Sequence, residues 1–227
     1  MKNILLFAMV VLLALPYPSA ISEPENEKNG FILGFTDDGF TMKSGDCVFF
    51  IATPEETDWD TERPRAGDYV TVRYRGQWGC EDIIADVVSC HMLTGEVTGI
   101  FTEPEPYFLM KTESGDTVRV NLGFISSETV VSGLPVTVYY NGIMTRSVPP
   151  QVSAEHIRGL TITGEIAEVH EDSLLLTGDS PALIRITPET ILLSPMVPGS
   201  VITVSVLPVM TLSIPPQYTA TELLPAV

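Results

Sequence analysis

An eight-residue motif occurs twice in this chain, and its two copies lie 66 residues apart. The first copy begins at Ser147 and reads Ser-Val-Pro-Pro-Gln-Val-Ser-Ala, and the second begins at Ser213 and reads Ser-Ile-Pro-Pro-Gln-Tyr-Thr-Ala. The same offset relates Gly133 to Gly199 further upstream. A match that extends this far at constant spacing indicates a duplicated structural unit rather than an isolated motif.

A third, degraded copy precedes these two. Residues 67–76 lie 66 positions before residues 133–142, and they share a glycine- and valine-rich pattern although the Pro-Pro-Gln run is missing. The residues of this copy that match are Gly67, Val70, Thr71, Val72, Tyr74 and Gly76. We therefore predict three units, at 29–92, 93–160 and 161–227. Units of this size bury little core alone, so we expect them to pack on one another.

The local patterns predict β-structure throughout. Glycine, proline and β-branched residues recur every few positions, and no long stretch has apolar residues at helical spacing. In the second unit we predict strands at 95–101, 107–112, 117–122, 136–140 and 153–159. Short strands, a glycine in the first strand and a twisted hairpin favour a small closed barrel of the OB type. The alternative is one β-sandwich built from all the repeats.

One turn carries a specific prediction. Asn141-Gly142 tolerates positive φ, so we expect it to join the strand at 136–140 to a second arm at 143–147 as a two-residue hairpin. Pro149-Pro150 should end that arm, because neither residue can donate a ladder hydrogen bond. In the third unit Leu207-Pro208 replaces Asn-Gly, which predicts another turn type or a looser link.

The first residues have the layout of a secretory signal. A lysine at position 2 precedes an apolar run from Ile4 to Leu15, and the segment Pro-Tyr-Pro-Ser-Ala-Ile-Ser follows, up to Ser22. The run is shorter than the roughly 20 residues of a membrane-spanning helix, so we predict cleavage after Ser22 or Ala20. We expect residues 23–28 to form a polar tether, and the mature chain to be secreted or extracytoplasmic.

Charge bears on the choice of partner. The net charge is −17, and removal of residues 1–22 would take away one lysine and no acid, which gives −18. Such a surface repels phosphate backbones and anionic lipids. We therefore predict no nucleic-acid partner, no integral membrane segment after signal removal, and an unidentified protein, peptide or glycan partner at the cell surface.

The segment 136–151, with Ala154 and Ile157 beyond it, resembles the small exported YobA-like domains of Gram-positive bacteria. These domains carry a Ser-x-Pro-x-Gln run after a hydrophobic strand and a glycine turn. The resemblance covers about a third of the second and third units, whereas the first unit has Cys80-Glu81-Asp82-Ile83 where the Pro-Pro run should be. It implies an OB-like fold, export and a bacterial cell-surface setting. It implies no catalytic residues.

The repeated loops are the best candidates for ligand contact, because a stiff Pro-Pro segment beside a barrel mouth can present the neighbouring glutamine. The alternative is that the glutamine and the prolines only stabilise the loop itself. Neither serine is a convincing nucleophile, since the position before Ile157 is His156 but the equivalent position before Leu223 is Glu222. The predicted ligand-binding residues are Ser147, Pro149, Pro150, Gln151, Ser213, Pro215, Pro216 and Gln217.

All three cysteines lie in the first unit. Export permits a disulfide, and we predict Cys80 with Cys90, because they flank the last strand of that unit. A metal site from the three thiols, including Cys47, and His91 is disfavoured, since the spacing lacks paired Cys-x-x-Cys ligands. We predict no cofactor.

The remaining polar features favour ordinary surface. The acidic stretch 55–62 lacks the glycine-centred alternation of a calcium loop, and Trp59 and Trp78 are more typical of partly buried packing than of a sugar platform. We therefore predict an exported, noncatalytic binding protein. The alternatives are a structural spacer or an enzyme whose site forms between repeats. Candidate residues for such a site are Glu165, His170 and Asp172.

Overall fold

The computed structural model describes residues 25–75, 83–178 and 181–226. The predicted signal at 1–22 lies outside these residues, as do Trp78 and Cys80. The described residues form strands and a single 3₁₀ turn, and they fall into three separate sheets. None of their helical segments is long and apolar enough to cross a membrane.

The first sheet contains six strands. Its order is β3-β2-β1-β5-β6-β4, and β3 also pairs with β6, which closes five of these strands into a barrel. The short β4 adds to the outside of β6 through two residue pairs. The strands are β1 (Glu25–Thr36), β2 (Gly39–Ser44), β3 (Cys47–Ala52), β4 (Asp58–Trp59), β5 (Tyr69–Arg75) and β6 (Ile83–Ser89).

The second sheet is a closed five-stranded barrel in the order β10-β11-β9-β8-β7. A 3₁₀ turn at Ser127–Thr129 lies between its third and fourth strands. The strands are β7 (His91–Phe101), β8 (Tyr107–Thr112), β9 (Thr117–Asn121), β10 (Pro135–Tyr140) and β11 (Gln151–Arg158).

The third sheet repeats the pattern of the first. Its order is β14-β13-β12-β16-β17-β15, β14 also pairs with β17, and β15 adds to the outside of β17. The strands are β12 (Thr161–Val169), β13 (Ser173–Thr177), β14 (Ala182–Arg185), β15 (Ile191–Leu192), β16 (Val201–Met210) and β17 (Gln217–Pro225).

All three barrels share one strand connectivity. Strand one pairs with strands two and four, strand three pairs in parallel with strand five, and strand five pairs with strand four. This five-stranded Greek-key closure is the OB topology. The predicted all-β fold of three tandem OB-like barrels is therefore confirmed, and the single sandwich is wrong.

Each barrel encloses its own apolar core. The interiors centre on Phe40 and Ile51 in the first barrel, Phe108 and Met110 in the second, and Leu174 with its neighbours in the third. A small fourth cluster joins the first barrel to the third, through Phe31, Leu193 and Leu224. The barrels therefore pack on one another, as expected for units with small individual cores.

The predicted hairpin at Asn141-Gly142 is wrong. Residues 143–147 form no strand, and β10 instead pairs with β11 across a ten-residue connection, 141–150. Gly142 does have a positive φ of 80°, but a Cβ at this position would also lie about 2.5 Å from the imidazole of His91. The close packing on His91 favours glycine at position 142, and so does the positive φ. The Asn-Gly pair therefore occurs here without a two-residue hairpin.

The equivalent segment of the third barrel contains no turn at all. Strand β16 runs straight through Leu207-Pro208 to Met210, where it still pairs with Tyr218 of β17. Pro208 is accommodated because the register of the pair is irregular between Val206 and Met210. The expectation of another turn at this position is therefore wrong.

The predicted polar tether is wrong for residues 25–28. These residues form the start of β1 and pair with β5, from Glu25 opposite Arg75 to Lys28 opposite Val72. Strand pairing uses backbone groups, so a polar segment can join a sheet without apolar side chains. The Lys28 ammonium also lies 3.8 Å from the centre of the Phe49 ring, a cation–π contact that helps to hold this end of the strand.

Candidate functional site

Two loops join the fourth and fifth strands of their barrels and contain the repeated motif. We call residues 141–150 of the second barrel loop A and residues 211–216 of the third barrel loop B. Both loops have a cis peptide bond before the first proline. The same position in the first barrel, residues 76–82, lies outside the described residues.

Hydroxyl groups hold loop A in one conformation. The Ser147 hydroxyl donates to the carbonyl oxygen of Pro149 at 2.7 Å, and it lies 2.7 Å from the Thr145 hydroxyl. The backbone N–H of Gln151 donates to that threonine oxygen at 2.9 Å, and the Gln151 carbonyl accepts from the Thr145 N–H at 3.0 Å. The backbone of Gln151 thus closes the loop.

Loop B reproduces this network. The Ser213 hydroxyl donates to Pro215 O at 2.8 Å and lies 2.6 Å from the Thr211 hydroxyl. The N–H of Gln217 donates to Thr211 Oγ1 at 3.1 Å, and the carbonyl of Gln217 accepts from the Thr211 N–H at 3.1 Å. The serine of the motif and the threonine two residues before it therefore stabilise the loop through their hydroxyls, and the glutamine does so through its backbone. A role for the predicted residues in ligand contact remains a prediction.

Both loops present aliphatic side chains to solvent, alongside exposed polar residues such as Arg146 of loop A. Val148 is 99% exposed and Ile214 is 101% exposed, although each lies between a bonded serine and a proline. Ile143 and Met144 in loop A are also exposed, as is Leu212 in loop B. Sequence reasoning missed Val148 and Ile214, although both copies of the motif carry a β-branched aliphatic residue at this position.

Loop A forms one wall of a groove of about 620 Å³ on the second barrel. The opposite side of the groove is the β8–β9 hairpin, including Ser114 and Asp116 of its turn. The apolar residues that line the groove are Leu93, Leu109, Val118, Met144, Val148, Pro149 and Pro150. The structure therefore brings two of the predicted residues of loop A, Pro149 and Pro150, beside a surface large enough for a small ligand.

A cluster of polar and charged side chains lies where the three barrels meet. We call this cluster the junction, and its members are Tyr139, His156, Arg158 and Glu222. The Glu222 carboxylate in β17 contacts His156 Nε2 and accepts from Arg158 Nε at 2.8 Å. Arg158 also donates to the Tyr139 hydroxyl at 2.7 Å and to the Gly67 carbonyl of the first barrel at 2.6 Å. All three barrels thus share one hydrogen-bonded network.

Burial makes these contacts energetically important. The Glu222 side chain is 1% exposed and that of Arg158 is 12% exposed. Burial alone would raise the pKa of Glu222, but hydrogen bonds and positive charge from His156 and Arg158 outweigh it and hold that pKa below its usual value. The pKa of Tyr139, in contrast, is raised, and burial is the largest cause. Its hydroxyl donates to Asp68 Oδ1 at 3.2 Å. The junction is a satisfied ionic network.

The repeat spacing relates His156 to Glu222, and it places Cys90 at the same position of the first unit. In the sequence, the difference between these two residues argues against Ser147 and Ser213 as nucleophiles. The structure instead puts His156 and Glu222 in contact with each other across two barrels. The ring of His156 also stacks on Tyr69, with centroids 5.5 Å apart.

One alternative prediction is an enzyme site between the repeats. A cleft does lie between them, but the residues predicted for that site do not line it. A cleft of about 400 Å³ beside the junction is lined by all three barrels, including Arg63 and Arg158. Glu165, His170 and Asp172 are instead exposed on the third barrel, around the β12–β13 hairpin. The structure does not bring them into this cleft.

The acidic stretch and the tryptophan of the first barrel have ordinary surroundings. No group of three or more His, Cys, Asp or Glu within the described ranges could hold a metal ion. Trp59 packs near Phe40, with centroids 6.4 Å apart, and the Arg63 guanidinium lies 5.1 Å from its ring. Asp60 lies 3.5 Å from His91.

The cysteines yield a testable difference in reactivity. Cys47 is exposed, whereas burial and then the charge of Asp68 raise the pKa of the Cys90 thiol to about 12. In the reduced protein at neutral pH, a maleimide should therefore label Cys47 well before Cys90, and peptide mass mapping would measure both. Equal labelling rates would contradict this. Cys80 lies outside the described residues, so its pairing with Cys90 stays a prediction that non-reduced peptide mapping can test.

Comparisons with known proteins bear on the fold more than on the site. No family model matches the chain, and no curated protein is significantly similar to it. One similar solved structure is drosophila Unr CSD456, at 13% identity over 60% of this chain, with a TM-score of 0.31. This chain spans only 62% of the length of that one.

A second similar structure is a multidomain protein with nucleic acid binding domains from Streptococcus pneumoniae. It is 9% identical over 86% of this chain and 72% of the other, with a TM-score of 0.23. The prediction that excluded nucleic acid as a partner is corrected here, because this second match is a protein with nucleic acid binding domains. Net charge averages over the whole surface, so it does not decide what one face binds. At these TM-scores neither match assigns a ligand to this chain.

Proposed function

We propose that this chain is an exported, noncatalytic binding protein of the bacterial cell surface, and that loops A and B form its contact region. Export rests on the signal-like pattern of residues 1–22 and on the resemblance to YobA-like domains. The observation that carries the binding role is the pair of fully exposed aliphatic side chains, Val148 and Ile214, at equivalent positions of two hydrogen-bonded loops.

The needs of folding do not explain these two side chains. The hydroxyl hydrogen bonds account for the threonine and serine of each loop, and the prolines limit the freedom of the unfolded loop. Val148 and Ile214 bury almost nothing, so a polar residue would serve equally well for stability. Apolar side chains that are kept in solvent favour contact with another molecule.

The chemistry of the loops supports a noncatalytic role. The Ser147 and Ser213 hydroxyls both donate to backbone carbonyls within their own loops. A serine nucleophile needs a base that accepts its proton, and in each loop a carbonyl oxygen takes that place. The loops therefore have the properties of a preformed contact surface, which lowers the entropy lost on binding.

The test uses the mature chain, residues 23–227, with Val148→Asp and Ile214→Asp combined. Binding is measured to Gram-positive cell-envelope fragments and to arrays of peptides, glycans and oligonucleotides. We expect the double variant to lose at least about tenfold in affinity, because a charge would be buried at the centre of the contact. Val48→Asp is the matched control, since Val48 is 58% exposed on the first barrel.

The control should bind like the wild-type chain, and circular dichroism should show all three proteins folded. If the loop variant retains full affinity for whatever the wild-type chain binds, the contact region lies elsewhere. If the wild-type chain binds nothing in either format, the proposed binding role is overturned.

A further inference from the structure

The groove beside loop A has two chemically different walls. One wall is aliphatic and is formed by Met144, Val148 and the two prolines of the loop, and Leu109 also lines the groove. No aromatic ring is among the described residues that line the groove, so these residues offer no platform on which a sugar or a nucleobase could stack. A flexible methylene chain is the kind of group that such a wall accommodates.

The opposite wall consists of hydroxyl groups and one carboxylate. Ser114 Oγ donates to Asp116 Oδ2 at 2.9 Å, and the Thr112 hydroxyl lies 2.8 Å from Ser114 Oγ. The Asp116 N–H donates to Thr112 Oγ1 at 3.2 Å, which fixes the turn. Among the described residues that line the groove, Asp116 is the one that carries a charge, so this edge attracts a cation.

The geometry points to a linear aliphatic polyamine as the ligand of this groove. Its methylene segments would lie along the loop A wall, and one ammonium group would contact the Asp116 carboxylate. The net charge of −17 raises the local concentration of cations around the whole protein. This inference rests on the proposed binding role of loop A and names the chemistry of one ligand for that surface.

The test is calorimetric titration of the mature chain with spermidine at low ionic strength. Asp116→Asn should weaken binding by about tenfold, which is about 1.4 kcal/mol, since the ammonium group loses its charged partner. Asp46→Asn is the matched control: Ser44-Gly45-Asp46 repeats Ser114-Gly115-Asp116 in the first barrel, and both substitutions change the net charge equally. The control should leave the affinity nearly unchanged.

A second arm tests the aliphatic wall. We expect 1,5-diaminopentane to bind more tightly than 1,2-diaminoethane, which carries the same charges on a shorter chain, and Met144→Ser should reduce that difference. Pentane-1,5-diol, which lacks the charges, should bind more weakly than the diamine.

Three results would overturn the inference. They are the absence of spermidine binding, equal losses in Asp116→Asn and Asp46→Asn, and equal affinities for the two diamines. Equal losses in the two aspartate variants would leave only the field of the whole protein as the cause of binding. Failure here differs from failure of the proposed function: if the Val148→Asp and Ile214→Asp variant still loses envelope binding, the contact region stands and only its polyamine ligand is rejected.

Discussion

Replacing Arg158 with methionine is expected to lower the free energy of unfolding by about 3–5 kcal/mol, because removal of one partner leaves a buried charge uncompensated. Glu222 would keep His156 but lose the guanidinium that now lies 2.8 Å from it, in a site where its side chain is 1% exposed. The carbonyl of Gly67 and the hydroxyl of Tyr139 would also lose a donor. These losses affect all three barrels.

Urea unfolding followed by circular dichroism measures this effect. Arg119→Met is the control, because that guanidinium stacks on Tyr107 and bonds Asn121 near the surface of a single barrel. It should cost less than about 1 kcal/mol, in the range of most partly exposed substitutions. Arg158→Met with Glu222→Leu should recover part of the lost stability, since neither charge then remains buried. Equal effects of Arg158→Met and Arg119→Met would show that the junction contributes little.

The same carboxylate predicts how stability depends on pH. Since the pKa of Glu222 is lowered in the folded protein, its contribution to stability is present above the unfolded-state pKa of about 4.3 and is lost as pH falls through the lower, folded value. Glu222→Gln should therefore be less stable than the wild type at neutral pH, and the difference should shrink in acid. A difference that is constant from neutral to acidic pH would contradict this assignment.

The repeat made the fold of each unit predictable. Strand signals within 66 residues, seen in three related copies, indicated a small closed barrel, and the strand predicted at 107–112 coincides with β8. The hairpin prediction failed because it relied on two residues. Asn141-Gly142 satisfied the local rule for a turn, whereas the structure uses Gly142 to pack against His91. Local turn chemistry does not reveal such long-range contacts.

The site was only partly predictable, for a related reason. The repeat identified the loops, but the residues predicted to contact a ligand included Ser147, and the structure shows that its hydroxyl bonds the loop itself. The exposure of Val148 depends on the direction of the loop, which composition does not give. The junction was not predictable at all. A repeat describes what the units share, whereas interfaces between units depend on positions where they differ, such as His156 and Glu222.

The last prediction tests the way the barrels close. Gly30 in β1 lies directly over β2, and a Cβ at this position would overlap with the carbonyl oxygen of Lys43. Gly95 in β7 has the same relation to Lys111, and Gly164 in β12 has it to Thr177. The glycine that the sequence placed in the first strand of each unit therefore permits close approach of two strands.

Gly30→Ala should lower the free energy of unfolding by about 1–3 kcal/mol, because overpacking against a backbone atom forces the strands apart. Gly34→Ala is the matched control in the same strand: a Cβ there meets no atom within 4 Å, and its φ is not in the left-handed region, so we expect a change within about 0.5 kcal/mol. Urea unfolding measures both variants, and limited proteolysis of the first barrel reports on Gly30→Ala if it fails to fold. Because alanine adds the same methyl group in both variants, equal stabilities would show that strand approach at Gly30 does not limit closure of the barrel.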